Sequence, residues 1–177
     1  MNRRRTIIGA SLAGAIAVAF GGFFGVSGPL RDLEQRMVLL LLGAGARVRM
    51  YGDHYFQVLP RDNGAFRAQL TPFCSSLVPV LALAAIAVFI LHGPPVRKTF
   101  AFVCAAVVVV LCNVLRVAGS IWVGLQVGAR SMVLFHDWIG TLFGIGYTML
   151  GFFLMLFLML PKATASIPRA ARVSDVL

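Results

Sequence analysis

The sequence predicts an all-α membrane protein: a four-transmembrane-helix bundle with an interfacial helix and a small extracytoplasmic β-hairpin-like cap. Three observations lead there. The 177-residue chain is 59% hydrophobic with a mean hydropathy of +0.89, too apolar for a soluble domain of this size. Several apolar runs reach the roughly 20 residues that a helix needs to cross a bilayer. Between the first and second runs lies a stretch of different character, charged at first and alternating afterwards. At this length one multi-pass domain, residues 1–177, accounts for the whole chain.

The first run, Thr6–Val26, follows the basic start Asn2-Arg3-Arg4-Arg5. A secretory signal shares that pattern, but no small-x-small cleavage site follows at Ser27-Gly28-Pro29, so the run reads as an anchor. The second run is Pro72–His92, the third Phe100–Leu125 and the fourth Trp138–Leu160, with Gly93–Thr99 as a tight turn between the second and third. The cap occupies residues 27–71. Within it Leu30–Ala46 is charged at one end and apolar at the other, which suits an interfacial helix. Arg47–Leu70 alternates around Tyr55-Phe56-Gln57-Val58 and Arg67-Ala68-Gln69-Leu70, and Asn63-Gly64 between those runs signals a hairpin.

A net charge of +10 could suggest nucleic acid. The charges lie between the apolar runs and form no stripe, so anionic membrane lipid is the expected partner and nucleic acid is not. Arg3, Arg4, Arg5, Arg97, Lys98, Lys162, Arg169 and Arg172 crowd the short pieces 1–5, 93–99 and 161–177. The longer pieces 27–72 and 125–137 are sparser in lysine and arginine, which puts both termini in the cytoplasm of a cell-membrane protein. Trp122 and Trp138 then fall at the outer interface, where such rings prefer to lie. Cys74, Cys104 and Cys112 make neither a CxxC nor a zinc spacing, so no metal or cofactor is expected.

With that topology three reactive side chains share the outer layer. Cys74 stands near the outer start of the second run, with Thr71 as N-cap and Pro72 at the first helical position, where the helix dipole favours a thiolate. A cysteine is also simply a small apolar residue; Ser75, Ser76 and Pro79 make this turn polar and favour the nucleophile. Arg116 lies roughly 24 Å above the inner start of the third run, at 1.5 Å per residue. It is either a functional charge in a membrane helix or an arginine snorkelling to headgroups. Cys112, Asn113 and Ser120 share its face, a polar stripe that favours the first reading. His136 precedes the fourth run, with Gly140 and Gly144 at helical spacing behind it, and a neutral imidazole there can take a thiol proton. Asp137 faces away from it on a helix. Asn113 and Ser75 are supporting candidates, His54 and His92 weaker ones, and Cys112 is a deeper rival thiol. A thiol, a guanidinium and an imidazole together suffice for acyl transfer on a peptide bond.

In order, Leu33–Gly43, the extended cap, Pro72-Phe73-Cys74-Ser75-Ser76-Leu77, Asn113-Val114-Leu115-Arg116 and His136-Asp137-Trp138-Ile139-Gly140 resemble the exosortase/archaeosortase family. The likeness covers about residues 33–160. It implies a multi-pass membrane cysteine transpeptidase or peptidase with its active site outside the cytoplasm. Its substrates would be proteins ending in a short motif, a transmembrane helix and a basic tail. Cys74, Arg116 and His136 match the family's catalytic cysteine, arginine and histidine. Ser76 stands where the family commonly has glycine, and this four-helix chain is compact where many members have further helices. The rival reading from another class is a non-catalytic membrane scaffold or assembly partner.

Overall fold

The structure, a computed structural model, describes residues 21, 23, 25–43, 47–52, 54–60, 64–89 and 93–160. It is mostly helical. Helix α1 covers 25–42. Strands β1 (Val48–Met50), β2 (Tyr55–Val58) and β3 (Phe66–Gln69) follow, then α2 (Leu77–Phe89), α3 (Pro95–Val127), α4 (Ala129–Leu134) and α5 (Gly140–Met159). A π turn, Phe135–Ile139, joins α4 to α5 without a break.

Helix α3 organises the molecule. Its 33 residues extend about 50 Å at 1.5 Å per residue. In its first half Ala101, Ala105 and Val109 recur every fourth residue on one face. They pack on Leu83 and Ala87 of α2 and on Tyr147 and Met155 of α5. In its second half Val114, Val117, Ala118 and Ile121 meet Val38 of α1 and the sheet's Val48, Phe56 and Val58, with Leu70 just beyond β3. The cap therefore lies along the side of α3. Arg97, near the start of α3, donates to the Leu158 carbonyl at 2.9 Å and also to that of Leu160, satisfying the last turn of α5.

The sheet has the order β1-β2-β3 and is antiparallel throughout. Tyr51 N–H donates to Tyr55 C=O at 3.0 Å and Leu59 N–H to Arg47 C=O at 2.7 Å, so the odd-numbered residues of β2 bond to β1. Leu70 N–H donates to His54 C=O at 2.8 Å, so its even-numbered residues bond to β3.

Several expectations are corrected. The second apolar run was expected to be helical from Pro72, yet α2 starts at Leu77 and its first backbone bond runs from Val80 N–H to Ser76 C=O. Pro79 sets that start, since deeper in a helix its ring would clash with a carbonyl one turn back and leave a bond unmade. Thr71 and Pro72 consequently begin a turn, not a helix, with Cys74 N–H donating to Thr71 C=O at 3.0 Å. The fourth run starts earlier than Trp138: helix is continuous from Ala129, which puts His136 inside it. No helix end falls at Ser27-Gly28-Pro29, because α1 passes through all three. The cap's hairpin is β2–β3, and β1 adds a third strand to it.

Two helical stretches, Pro95–Val127 and Ala129–Met159, are long and apolar enough to cross a membrane. Helix α2, at 13 residues, reaches only about 20 Å at 1.5 Å per residue. The expected first span lies almost wholly outside the described residues, as does His92 at the end of the second.

At Gly151 the α5 backbone is packed directly under side chains of α3 and α2. A Cβ at Gly151 would stand 2.7 Å from Val109 Cγ2 and 3.2 Å from Leu83 Cδ1. Gly151→Val is expected to cost about 1–3 kcal/mol by overpacking, seen as a lowered thermal midpoint of the detergent-solubilised protein.

Candidate active site

The three reactive groups converge on one imidazole. His136 Nε2 lies 3.3 Å from Cys74 Sγ and 3.3 Å from Arg116 Nη2. Each arrives from a different element: Cys74 from the turn before α2, Arg116 from α3, His136 from the π turn. A π turn places one extra residue in the helix and re-aims the side chains around it. Gly140, one turn beyond, leaves room for the guanidinium, since a Cβ there would stand 2.9 Å from Arg116 Nε.

The protonation pattern follows from the partners. Ser120 Oγ donates its one hydrogen to the Arg116 carbonyl at 2.9 Å, so it offers a lone pair to His136 Nδ1, 3.4 Å away. Arg116 can only donate. In the neutral ring the hydrogen is therefore on Nδ1 and the lone pair on Nε2, facing the thiol. That is the orientation a base needs. Ser120 stood on the polar stripe seen in the sequence, but nothing there singled it out as the group that orients His136.

Cys74 lies outside the helical spans, half-buried in its turn. Its hydrogen bond with His136 brings its pKa down from 9.0 to about 7; burial opposes this, and the Thr71 hydroxyl, donating to Sγ at 3.1 Å, assists. The expected source of thiolate character, a helix N-terminus around Cys74, is replaced by these two side chains.

Beneath the turn is a buried polar cluster. Asn113, fully buried, gives both Nδ2 hydrogens, one to the Cys74 carbonyl and one to Glu34 Oε1, each at 3.0 Å, and accepts at Oδ1 from Tyr147 Oη at 3.0 Å. Glu34 Oε1 also accepts from Ser76 N–H at 2.9 Å. The sequence does not single out Glu34, because its segment reads as an interfacial helix. The signal available was that it is the chain's sole glutamate, one helical turn before Val38. Ser75 is buried and its Oγ accepts from Leu77 N–H at 3.3 Å, a role in starting α2.

Two cavities flank the site. One of about 280 Å³ runs between β3 and α4 over α3 and includes Cys74, Ser120 and His136. The other, about 480 Å³ between the start of α2 and α5, includes Phe73, Arg116, Gly140 and Gly144. Cys112 is partly buried against the α2–α3–α5 core, and His54 sits in the β1–β2 turn with Nδ1 3.1 Å from Asp32. Neither joins the cluster. Among the described residues no group of three or more histidine, cysteine or acidic side chains could hold a metal.

Iodoacetamide alkylation of Cys74 should rise with pH through a midpoint near 7. His136→Ala removes the largest lowering influence and leaves burial, so the midpoint should climb by about one unit or more; an unmoved midpoint refutes the assignment. Glu34→Leu orphans two buried donors and should cost about 2–5 kcal/mol in thermal stability, whereas Glu34→Gln, which keeps an acceptor, should cost clearly less.

No family model, no curated protein and no solved structure matches the chain.

Proposed function

We propose that the protein is a membrane cysteine transpeptidase or peptidase of the exosortase/archaeosortase kind, acting just outside the bilayer on a C-terminal sorting signal. The observation that carries this reading is the shared imidazole nitrogen, 3.3 Å from both the thiol and the guanidinium. Cys74 Sγ gives its proton to His136 Nε2 and attacks a peptide carbonyl. The oxyanion is held by Arg116. Once Nε2 carries a proton it no longer accepts from Nη2, so the guanidinium turns to the new negative charge. Collapse breaks the C–N bond, Nε2–H protonates the leaving amine, and a thioester remains on Cys74. An amine or water then resolves it, giving its proton to Nε2 and restoring the thiol.

A bilayer setting is supported by what the apolar helices leave uncovered. Only 33% and 17% of the most apolar windows of the two long stretches are buried, unlike the core helix of a water-soluble domain. Val96, Phe100, Val103, Val107, Leu111 and Leu115 form an exposed stripe along α3, and Leu142, Ile145, Met149, Phe153 and Phe157 form one along α5. Surface of that extent suits lipid. Arg116 lies 21 positions after Pro95, about 32 Å along the helix at 1.5 Å per residue, matching a hydrocarbon core of roughly 30 Å. The site would thus border water. Four spans, with 6–26 and the α2 segment as the other two, both termini cytoplasmic and α1 along the interface, complete the proposed topology.

The test is co-expression with a tagged protein ending in a short motif, an apolar helix and an arginine cluster. Wild type should shorten it. Cys74→Ala should leave it full length at an unchanged membrane level of the enzyme, and Arg116→Lys, which loses the planar fork, should slow shortening about 100-fold or more. Processing that survives Cys74→Ala would favour a scaffold instead.

A further inference from the structure

The sheet register leaves one edge open beside the thiol. Every even-numbered residue of β2 bonds to β3 and every odd-numbered one to β1. On β3 the residues paired inward are then Phe66 and Ala68, with Leu70 continuing the pattern. Arg67 and Gln69, by the alternation of an antiparallel ladder, direct their N–H and C=O groups away from β2. β3 is the last strand of the sheet, so these two donors and two acceptors have no strand to meet. Among the described residues none of them has a partner.

The open edge faces the site. Arg67, Ala68, Gln69 and Leu70, consecutive residues whose side chains alternate between the two faces, all line the cavity that holds Cys74 and His136. A strand presents consecutive residues to one space along its edge. Across the cavity stand Met132 and Val133 of α4, with Val117 and Ile121 of α3 as its floor. The Arg67 guanidinium is drawn back over the Tyr51 ring, 4.0 Å from its centroid, and so leans across the sheet's outer face. Natural edges are commonly blunted by covering or by inward charge; this one is open where a nucleophile waits.

We propose that an extended peptide main chain docks as a fourth strand on β3, bonding to the backbone of Arg67 and Gln69 and presenting its carbonyl to Cys74. This rests on reading Cys74 as a nucleophile toward a peptide, and it deepens that reading by assigning recognition to the main chain. Strand addition supplies affinity through backbone bonds and selects side chains at alternate positions. Those on the inner face of the docked strand enter the apolar cavity of about 280 Å³, room for one or two side chains. The others stay in solvent. The occupant is therefore a short extended segment with an apolar residue at every second position, not a folded or helical one.

The test uses Cys74 alkylation by acetyl-trialanyl chloromethyl ketone, in which an S–C bond forms and chloride leaves, with iodoacetamide as the reagent lacking a main chain. Intact mass gives the rates on the detergent-solubilised wild-type protein. The peptide reagent should react faster relative to iodoacetamide than it does with a free thiol. Methylating its amide nitrogens one at a time should cut that advantage roughly fivefold at alternate amides only, the loss of one hydrogen bond. Gln69→Pro, which removes an outward N–H and no ladder bond, should produce the same loss, and Gln69→Ala should not. Equal effects at all amides, or no advantage over iodoacetamide, overturn the proposal with no substitution needed. An alternating pattern in a protein that shortens no cargo would keep the docking strand and discard the transpeptidase.

Discussion

One buried amide holds the site together. Asn113 spends both hydrogens and its oxygen on three different segments: the main chain of Cys74, Glu34 on α1 and Tyr147 on α5. No other side chain of that size offers two donors and an acceptor in one plane. Leucine would fill the space, take this donor from the Cys74 carbonyl and this acceptor from the Tyr147 hydroxyl, and leave Glu34 Oε1 with Ser76 N–H alone, at about 1–3 kcal/mol for each buried orphan. The distance from thiol to imidazole thus depends on a contact to the backbone, one layer below the chemistry. Glu34 Oε2 and Ser76 Oγ, buried beside it, have no protein partner among the described residues, so the arrangement rests on the bonds made at Asn113 and Glu34 Oε1.

That layer also explains where along α3 the site falls. Below Asn113 the helix packs through alanines and valines and leaves large apolar side chains uncovered; above it the same helix carries the sheet and α1. Between the polar ends of the helix, at Arg97-Lys98-Thr99 and Gln126, the polar side chains gather at the change-over, at Asn113, Arg116 and Ser120. Under the proposed reading this is the boundary between lipid and water. Charges there keep some of the strength of a low-dielectric surrounding, while a hydrolytic water or an amine can still reach them.

The three clustered side chains were more legible in the sequence than the residues that support them. Cys74, Arg116 and His136 stood out because each is unusual in an apolar run, and counting helical rise put them at one height. The β2–β3 hairpin was legible from alternation and from Asn63-Gly64. The start of α2 is misread from sequence because Thr71-Pro72 is a good local signal, and only the cost of Pro79, about two turns further on, outweighs it. β1 is three residues long, too short for a periodic pattern to declare itself. Glu34 and Ser120 act through contacts with residues 79 and 16 positions away respectively, and single-sequence periodicity carries no information on such pairings.

The corner between α3 and α4 is one residue, Gly128, buried and at φ 101°, a conformation open to glycine and strained for any L side chain. A corner that short has no slack. Arg116, Ser120 and His136 sit on the two arms of this hinge-free bracket, so their spacing is inherited from covalent geometry. The facing rim, built from β3 and Leu70 just beyond it, belongs to a separate layer and carries none of the three. Under the proposed reading, changes in that rim retune which peptide is admitted while the bracket keeps its shape, so selectivity and reactivity are free to diverge independently in evolution.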